Sequence, residues 1–465
     1  MLNLFYHVVS LALCVGTGIL VASPYAYLVP VIWSAIALSF VLLKRPVDNY
    51  ILLAVFLYPL LPFHFGFDPG KPLPIIKLHR LLLFSVYFVW FAKRGSAAIL
   101  ESLKSYPLYR VTWITVCVLA LACLLNRATF QAYNYLLSFV AENCLFSFFV
   151  FDYFKSGESQ SRLLKTICFS GLTVALLGMV ERVIGFNWYS LVPSYREEVD
   201  YALEEYTRFD MARVKGAFTH AISFGATTAL IMAICVFFLY QATTRAEKLK
   251  WITIITLLFL ACYLSISRGP LAMFLFILML MAAYRAKRWA SLCLVVAALV
   301  IAQPFVEIEA LAKVKTMIDS SFNSSGGEMS ESSSIRLTQF ASAWKFIVAR
   351  PLTGHGFRPF NNDLDKTIDN FYLRYVLNFG FMGMSAYLLY IVTIFKKSYF
   401  VFKNTDTYFN KLFSLTVMAS FLGLLLLWCT VSLEEYMFYI SIMTGISMVL
   451  YSKLQVSETG EGGCP

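Results

Sequence analysis

Residues 220–240 read HAISFGATTALIMAICVFFLY, without one lysine, arginine, aspartate or glutamate. A helix needs about 20 mainly apolar residues to cross a hydrocarbon layer of roughly 30 Å. Within lipid the chain must satisfy its own backbone polar groups, which a helix does. This stretch therefore predicts a membrane-spanning helix, and the question is how often the pattern recurs. Upstream, similar runs occupy 4–22, 26–43, 49–63, 74–92, 110–126, 132–151 and 166–185. Downstream they occupy 251–266, 269–284, 289–303, 370–395, 412–430 and 435–451. Several are short or crowded, so the expected fold class is all-α and polytopic, with about twelve to fourteen transmembrane helices. No basic residue precedes the first run, which makes it a poor signal peptide and an expected span.

Composition agrees over the whole length. The 465 residues are 59% hydrophobic and 14% charged, where soluble domains carry roughly 25% charged residues, and the mean hydropathy is +0.70. The net charge of +11 does not point to nucleic acid, because basic residues form nothing longer than pairs such as Lys44-Arg45 and Lys396-Lys397. Ten cysteines, among them Cys14, Cys117, Cys168, Cys262 and Cys429, form no C-x-x-C pair. They indicate neither a disulfide framework nor a zinc site. The histidines (His7, His64, His79, His220, His355) never fall at metal-ligand spacing, so no metal or other cofactor is expected.

Charge orients the bundle. With both termini cytoplasmic, the inner connections hold about half of the Lys and Arg and under a third of the acids. Lys44-Arg45, Lys93-Arg94, Lys287-Arg288 and Lys396-Lys397 then all close spans on the inside, as the positive-inside rule requires. Two long loops, about 186–219 and 304–369, fall outside, and their cations invite an anionic ligand. Within the second, residues 320–334 (SSFNSSGGEMSESSS) read as a flexible linker. A helix is expected next, capped by Ser333 or Ser334 and ended by Arg350-Pro351. Its apolar face would be Leu337, Phe340, Ala341, Trp344, Ile347 and Val348, lying in the outer interface or roofing a cavity.

Charged groups at membrane depth are expensive, and each is a functional hypothesis. Arg268 sits in a Ser267-Arg268-Gly269 turn between two apolar runs, at the outer surface, where it binds an anion or merely snorkels. Glu142 and the pair Glu181-Arg182 are expected to be paired within the membrane. Arg213-Val214-Lys215-Gly216 can present two cations and a close backbone to phosphate. His220, at a helix start, is more simply a satisfied interface residue than a base. Gly354-His355-Gly356-Phe357-Arg358 is a glycine-flanked basic turn without the phosphate-loop ending. Asp369-Asn370-Phe371-Tyr372-Leu373 brings a carboxylate and an amide to the point of membrane re-entry, where Asp369 is the expected N-cap.

In this order the pieces resemble the O-antigen ligase and polymerase-like family of bacterial inner-membrane glycosyltransferases. The resemblance covers about residues 210–395 and rests on Arg213 to Phe218, Ser267-Arg268-Gly269, the Arg336 helix leading to Pro351 and Gly354–Phe357, and Asp369–Leu373 with Gly380 and Gly383. It divides the chain into an N-terminal multi-span region (1–209), a core (210–395) with its periplasmic loop 304–369, and C-terminal spans with a cytoplasmic tail (396–465). It implies a GT-C-like, metal-independent, inverting enzyme that moves a glycan from a polyprenyl diphosphate carrier to an acceptor on the periplasmic side. The acceptor would be another repeat unit in a polymerase of O-antigen or exopolysaccharide, or a lipid A core in a ligase. Export proteins would be its partners. Ligases of the family place histidine where Asp369 stands, which favours the polymerase branch.

The residue chemistry is compatible. Arginine forks suit diphosphate oxygens, so Arg213, Arg268 and Arg336, helped by Lys215, are the candidates for the donor. Asp369 or His355 would take the acceptor's proton, with Arg358, Asn370 and Tyr372 as further candidates. The competing class is a transporter of lipid-linked sugars without chemistry, with Glu142, Glu181 and Arg182 along a central path.

Overall fold

The computed structural model describes residues 47–67, 76–126, 130–191, 207–208, 211–285, 340, 342–356, 368, 370–429, 431–432 and 435–458. The expected spans 4–22, 26–43 and 289–303 lie outside the described residues. The other expected spans all coincide with helices. In chain order these are α1 (Val47–Leu57), α2 (Leu78–Arg94), α3 (Ser96–Ser105), α4 (Tyr109–Leu125), α5 (Phe130–Ser138), a π-helical turn (Phe139–Leu145), α6 (Phe146–Tyr153) and α7 (Gly157–Ile184). They continue with α8 (Ala221–Gln241), α9 (Arg245–Leu264), α10 (Arg268–Arg285), α11 (Phe371–Asn404), α12 (Tyr408–Trp428) and α13 (Met437–Glu458). Two minimal antiparallel ladders, Gly66–Phe67 with Ile76–Lys77 and Thr207–Arg208 with Met211–Ala212, decorate one end.

The protein is an all-α, multi-pass membrane protein. Six helical stretches among the described residues are long and apolar enough to cross a bilayer, or seven if α2 and α3 count as one bent span. The decisive run, α8, is buried on every side from Ala226 through Phe238. A helix apolar all round belongs in the middle of a bundle, and α8 packs against α7, α9, α10 and α12. Gly171 and Gly178 of α7 let it approach closely, since a Cβ on either would meet Ile231 or Phe224 of α8 at 2.6 Å.

α2 and α3 meet at 104°. Gly95, at φ +78°, makes that corner. The short exposed α3 had no counterpart in the sequence reading, which placed only a connection there. The sequence reading also missed the π-helical turn in the span 132–151. The turn frees the Ala141 carbonyl, which the buried Tyr87 hydroxyl fills at 2.5 Å.

Glu142 on this turn is paired in the membrane, as expected, and its partner is Arg80 (Nε to Oε1, 2.7 Å). The Arg80 fork also donates to Asn134 Oδ1 at 2.7 Å and to Ser138 Oγ. A buried cation with three acceptors on one neighbouring helix is a structural clasp. Glu181 and Arg182 do not pair with each other. Glu181 accepts backbone N–H groups of Lys215 and Gly216, and Arg182 donates to the Ala212 carbonyl at 3.0 Å.

α11 is two helices joined across a kink. Gly380 (φ 66°, ψ −177°) breaks it, and residues 351–356 cross the break. Phe381 N–H donates to the Pro351 carbonyl at 2.8 Å and Met382 N–H to Leu352 at 3.2 Å. In return His355 N–H and Gly356 N–H donate to the Leu377 and Asn378 carbonyls, each at 2.8 Å. A broken helix at membrane depth is stable only where other groups refill its hydrogen bonds, and this turn refills them. Residues 342–349 are helical, as expected. The apolar face, expected in the outer interface or over a cavity, is exposed in part. Ala343 and Ile347 are buried, while Phe340, Trp344 and Val348 are exposed, with Phe340 and Trp344 stacked at 5.9 Å. Such a surface suits the membrane interface.

Candidate functional site

The described parts of the crossings, residues 61–67, 76–77, 185–191, 207–208, 211–220, 265–267, 350–356, 368, 370, 429, 431–432 and 435–436, gather at one end of the bundle, tied by hydrogen bonds among themselves and to the neighbouring helix ends. Phe63 N–H donates to the Ala217 carbonyl at 2.9 Å, Val214 N–H to Leu264 at 3.2 Å, and Asn126 Nδ2 to Thr353 at 2.6 Å. We call this end the loop face. At the opposite end Lys453 reaches the Lys155 carbonyl at 2.7 Å.

The cationic segment 213–218 is built from below by a carboxylate. Glu181, in the last turn of α7, accepts Lys215 N–H on Oε1 at 3.2 Å and Gly216 N–H on Oε2 at 2.9 Å. Asn187 Nδ2 adds 3.3 Å to Glu181 Oε1 and 3.1 Å to the Gly216 carbonyl. Gly216 takes φ +56°, which turns the chain back over Phe224. The turn leaves the Lys215 side chain 8% exposed, and Phe218 stacks on Phe63 at 5.0 Å. Glu181 gives the buried Lys215 an anionic neighbour.

Arg213 joins this segment to the Ser265–Arg268 turn. Its Nε donates to the Ser265 carbonyl at 3.1 Å, three residues before Arg268. The turn itself is strained, because Ile266 adopts φ +49°. For a β-branched residue this is an outlier, costing about 1–3 kcal/mol. Arg268 then opens α10. A guanidinium at a helix N-terminus adds to the positive end of the dipole instead of opposing it. Two cationic segments thus meet through one hydrogen bond.

His220 is settled as a cap. Its Nδ1 accepts Ile222 N–H at 3.0 Å, at the start of α8. Burial first, then the charges of Arg213 and Lys215, hold its pKa down to about 4. The ring therefore stays neutral near pH 7, as its capping bond requires.

The 368–374 segment docks on the α12–α13 crossing. Asn370 caps α11 by accepting Leu373 N–H at 2.9 Å, so the cap expected at Asp369 belongs to its neighbour. Asn370 Nδ2 donates to the Cys429 carbonyl and the Tyr372 hydroxyl to Leu425, each at 2.8 Å. Arg374 reaches Ser432 Oγ at 3.1 Å. The same crossing ends at Glu435, which accepts the Thr219 amide at 3.4 Å and the Thr219 hydroxyl. The α12–α13 crossing therefore links the cationic segment to the re-entry segment. Sequence reasoning passed over Glu435 and the nearby Lys77. A carboxylate opening the run 435–451 was the available signal.

His355 is placed apart from this chain of contacts. Its Nε2 lies 2.8 Å from the Phe346 carbonyl, and its backbone fills the α11 break. Asp369, Arg336 and Arg358 lie outside the described residues. Among the described residues no three His, Cys, Asp or Glu side chains gather as metal ligands.

Residues 252–388 match the family model described as O-antigen ligase. The match opens in α9, contains the Ser265–Arg268 turn and the His355 turn, and closes beyond Gly380 in α11. Arg213 and Lys215 precede it and join it through Ser265 and Leu264. No curated protein matches the chain.

Proposed function

With an O-antigen ligase-type domain at residues 252–388 as the premise, we propose that the protein is a membrane glycosyltransferase acting on polyprenyl-diphosphate-linked glycan. The observation that carries this reading is the Arg213–Ser265 bond, which joins two cationic motifs on one face. Arg213, Lys215, Arg268 and Arg336 would hold the diphosphate and stabilise it as it leaves, with no metal or other cofactor. Direct attack by an acceptor hydroxyl would invert the anomeric carbon. Asp369 and His355 are the sequence's candidates for the acceptor's proton. Asn370 and Tyr372 position the re-entry segment, and Arg358 is a further candidate from the sequence.

The loop face would be periplasmic, in a bacterial inner membrane, with both termini cytoplasmic. Cys429, exposed on that face, should then react with a membrane-impermeant maleimide in cells whose outer membrane alone is permeabilised. Ser324→Cys in a Cys429→Ser background should react likewise. Labelling only after the inner membrane is broken would overturn the orientation.

The acceptor is proposed to be a second repeat unit, making the protein a polymerase of O-antigen or exopolysaccharide, because Asp369 stands where ligases carry histidine. Export proteins would receive the product. The family's description favours the ligase reading instead, with lipid A core as acceptor. Purified protein in nanodiscs should lengthen a radiolabelled polyprenyl-diphosphate-linked repeat into a ladder. Transfer to lipid A core without a ladder would assign a ligase, and no turnover of either would refute transfer.

A further inference from the structure

Glu435 lies on the loop face between α12 and α13, with its two oxygens treated differently. Oε1 is anchored by the Thr219 amide and hydroxyl. Oε2 is shielded from solvent, with the buried Ser223 hydroxyl beside it. A carboxylate oxygen enclosed with a lone hydroxyl beside it is under-solvated for a charge. A structural role would need only the anchored oxygen.

Its location narrows what the second oxygen serves. Thr219 directly follows the 213–218 cationic segment, and His220 beside it feels the charges of Arg213 and Lys215. Three residues before Glu435, Ser432 accepts from Arg374 and donates to the Ile368 carbonyl at 3.3 Å, at the membrane re-entry. Glu435 thus stands at the seam between the segment suited to a diphosphate and the segment where the acceptor arrives. His355 is occupied at the α11 break.

We propose that Glu435 is the base that receives the acceptor hydroxyl's proton, on Oε2, with Thr219 orienting the carboxylate. The proposal rests on the transfer reading above. The acceptor oxygen bonds to the anomeric carbon as the bond from that carbon to the diphosphate oxygen breaks. The diphosphate leaves with the bonding electron pair, toward Arg213, Lys215 and Arg268, and the hydroxyl proton ends on Oε2. Burial, the largest influence on this carboxyl, raises its proton affinity, while Thr219 and Lys77 pull it down. That balance gives a stronger base than an exposed glutamate.

Full-length protein in nanodiscs tests this with two readouts, turnover of radiolabelled polyprenyl-diphosphate-linked glycan and binding of sugar-free polyprenyl diphosphate. Glu435→Gln keeps an oxygen for Thr219 and loses the base. It should lose at least about 100-fold in turnover, the low end for general acid–base catalysis, and bind the sugar-free probe as tightly as wild type. Glu435→Ala should regain part of its turnover in added formate, a small carboxylate that fits the vacated place. Near-normal turnover of Glu435→Gln would overturn the proposal. So would inactivity joined to lost probe binding and no formate rescue, which would make Glu435 a strut for the cationic segment. Formate-rescuable loss in Asp369→Ala, with Glu435→Gln active, would move the base to Asp369. Wild-type protein that binds the probe but turns over no glycan would refute the transfer reading itself.

Discussion

Replacing Arg268 with alanine should reduce glycan transfer by at least about 100-fold, the scale on which removing one preorganised charge-stabilising donor acts, while the protein stays inserted and folded. The side chain begins α10, where the helix dipole makes a cation unwelcome. The preceding turn is bent through a strained Ile266 to put it there. On the reading proposed above, both serve the leaving diphosphate. Lysine should recover only part of the loss, because a point charge cannot reproduce a bidentate fork. Binding of sugar-free polyprenyl diphosphate should weaken in parallel, and an unchanged melting profile would separate this from unfolding. An alanine variant with full turnover would reduce Arg268 to an interfacial anchor.

Replacing Gly380 with alanine should have the largest effect on stability. A Cβ at this position would lie 2.1 Å from the Leu352 carbonyl oxygen and 2.6 Å from the Thr353 nitrogen. Both are backbone atoms and cannot swing aside. The conformation, φ 66° with ψ −177°, is also one that only glycine adopts readily. The loss should be at least about 2 kcal/mol from backbone strain alone, read as a fall in apparent Tm in detergent. The 351–356 turn would be expelled with it, since Gly354 opposes Gly380 at 2.5 Å from its own missing Cβ to the Gly380 nitrogen. Gly157→Ala, at the start of α7, offers a comparison, because a Cβ there would meet nothing within 4 Å. A Gly380→Ala protein as stable as that variant would show that the break is not needed.

The bundle was legible because each span is a local property. Twenty apolar residues in a row declare themselves without reference to any other part of the chain, and residues 220–240 did so most clearly. Three local departures were not legible. FVAENCL, residues 139–145, has ordinary helical composition, and only its neighbours show the wider turn. Gly95 and Gly380 were visible as glycines, yet what each bends depends on chains far away.

The site was legible in its cations and not in its carboxylates. Arg213, Lys215 and Arg268 stood out as charges beside apolar runs, whereas their junction through Ser265 spans 52 residues. Glu181 was read with the adjacent Arg182 because sequence neighbours suggest pairing. The structure instead sends it to backbone groups more than thirty residues on. Glu435 gains its meaning from Thr219, which is 216 residues away.

The π-helical turn has a consequence for descent. Within its seven residues, Glu142 turns to Arg80 on α2, the Ala141 carbonyl to Tyr87, and Asn143 to Ser441 on α13 at 3.2 Å. One widened turn thereby fastens the early part of the chain to its last helix, across the whole matched region. A π turn carries one residue more than the α-helix would need to cover nearly the same rise. Homologues that share the clasp should keep that extra residue, and those that lack it should show a one-position gap between 139 and 145. The gap would mark where a single inserted codon, tolerated inside a membrane span, gave the two halves of the molecule a common fastening.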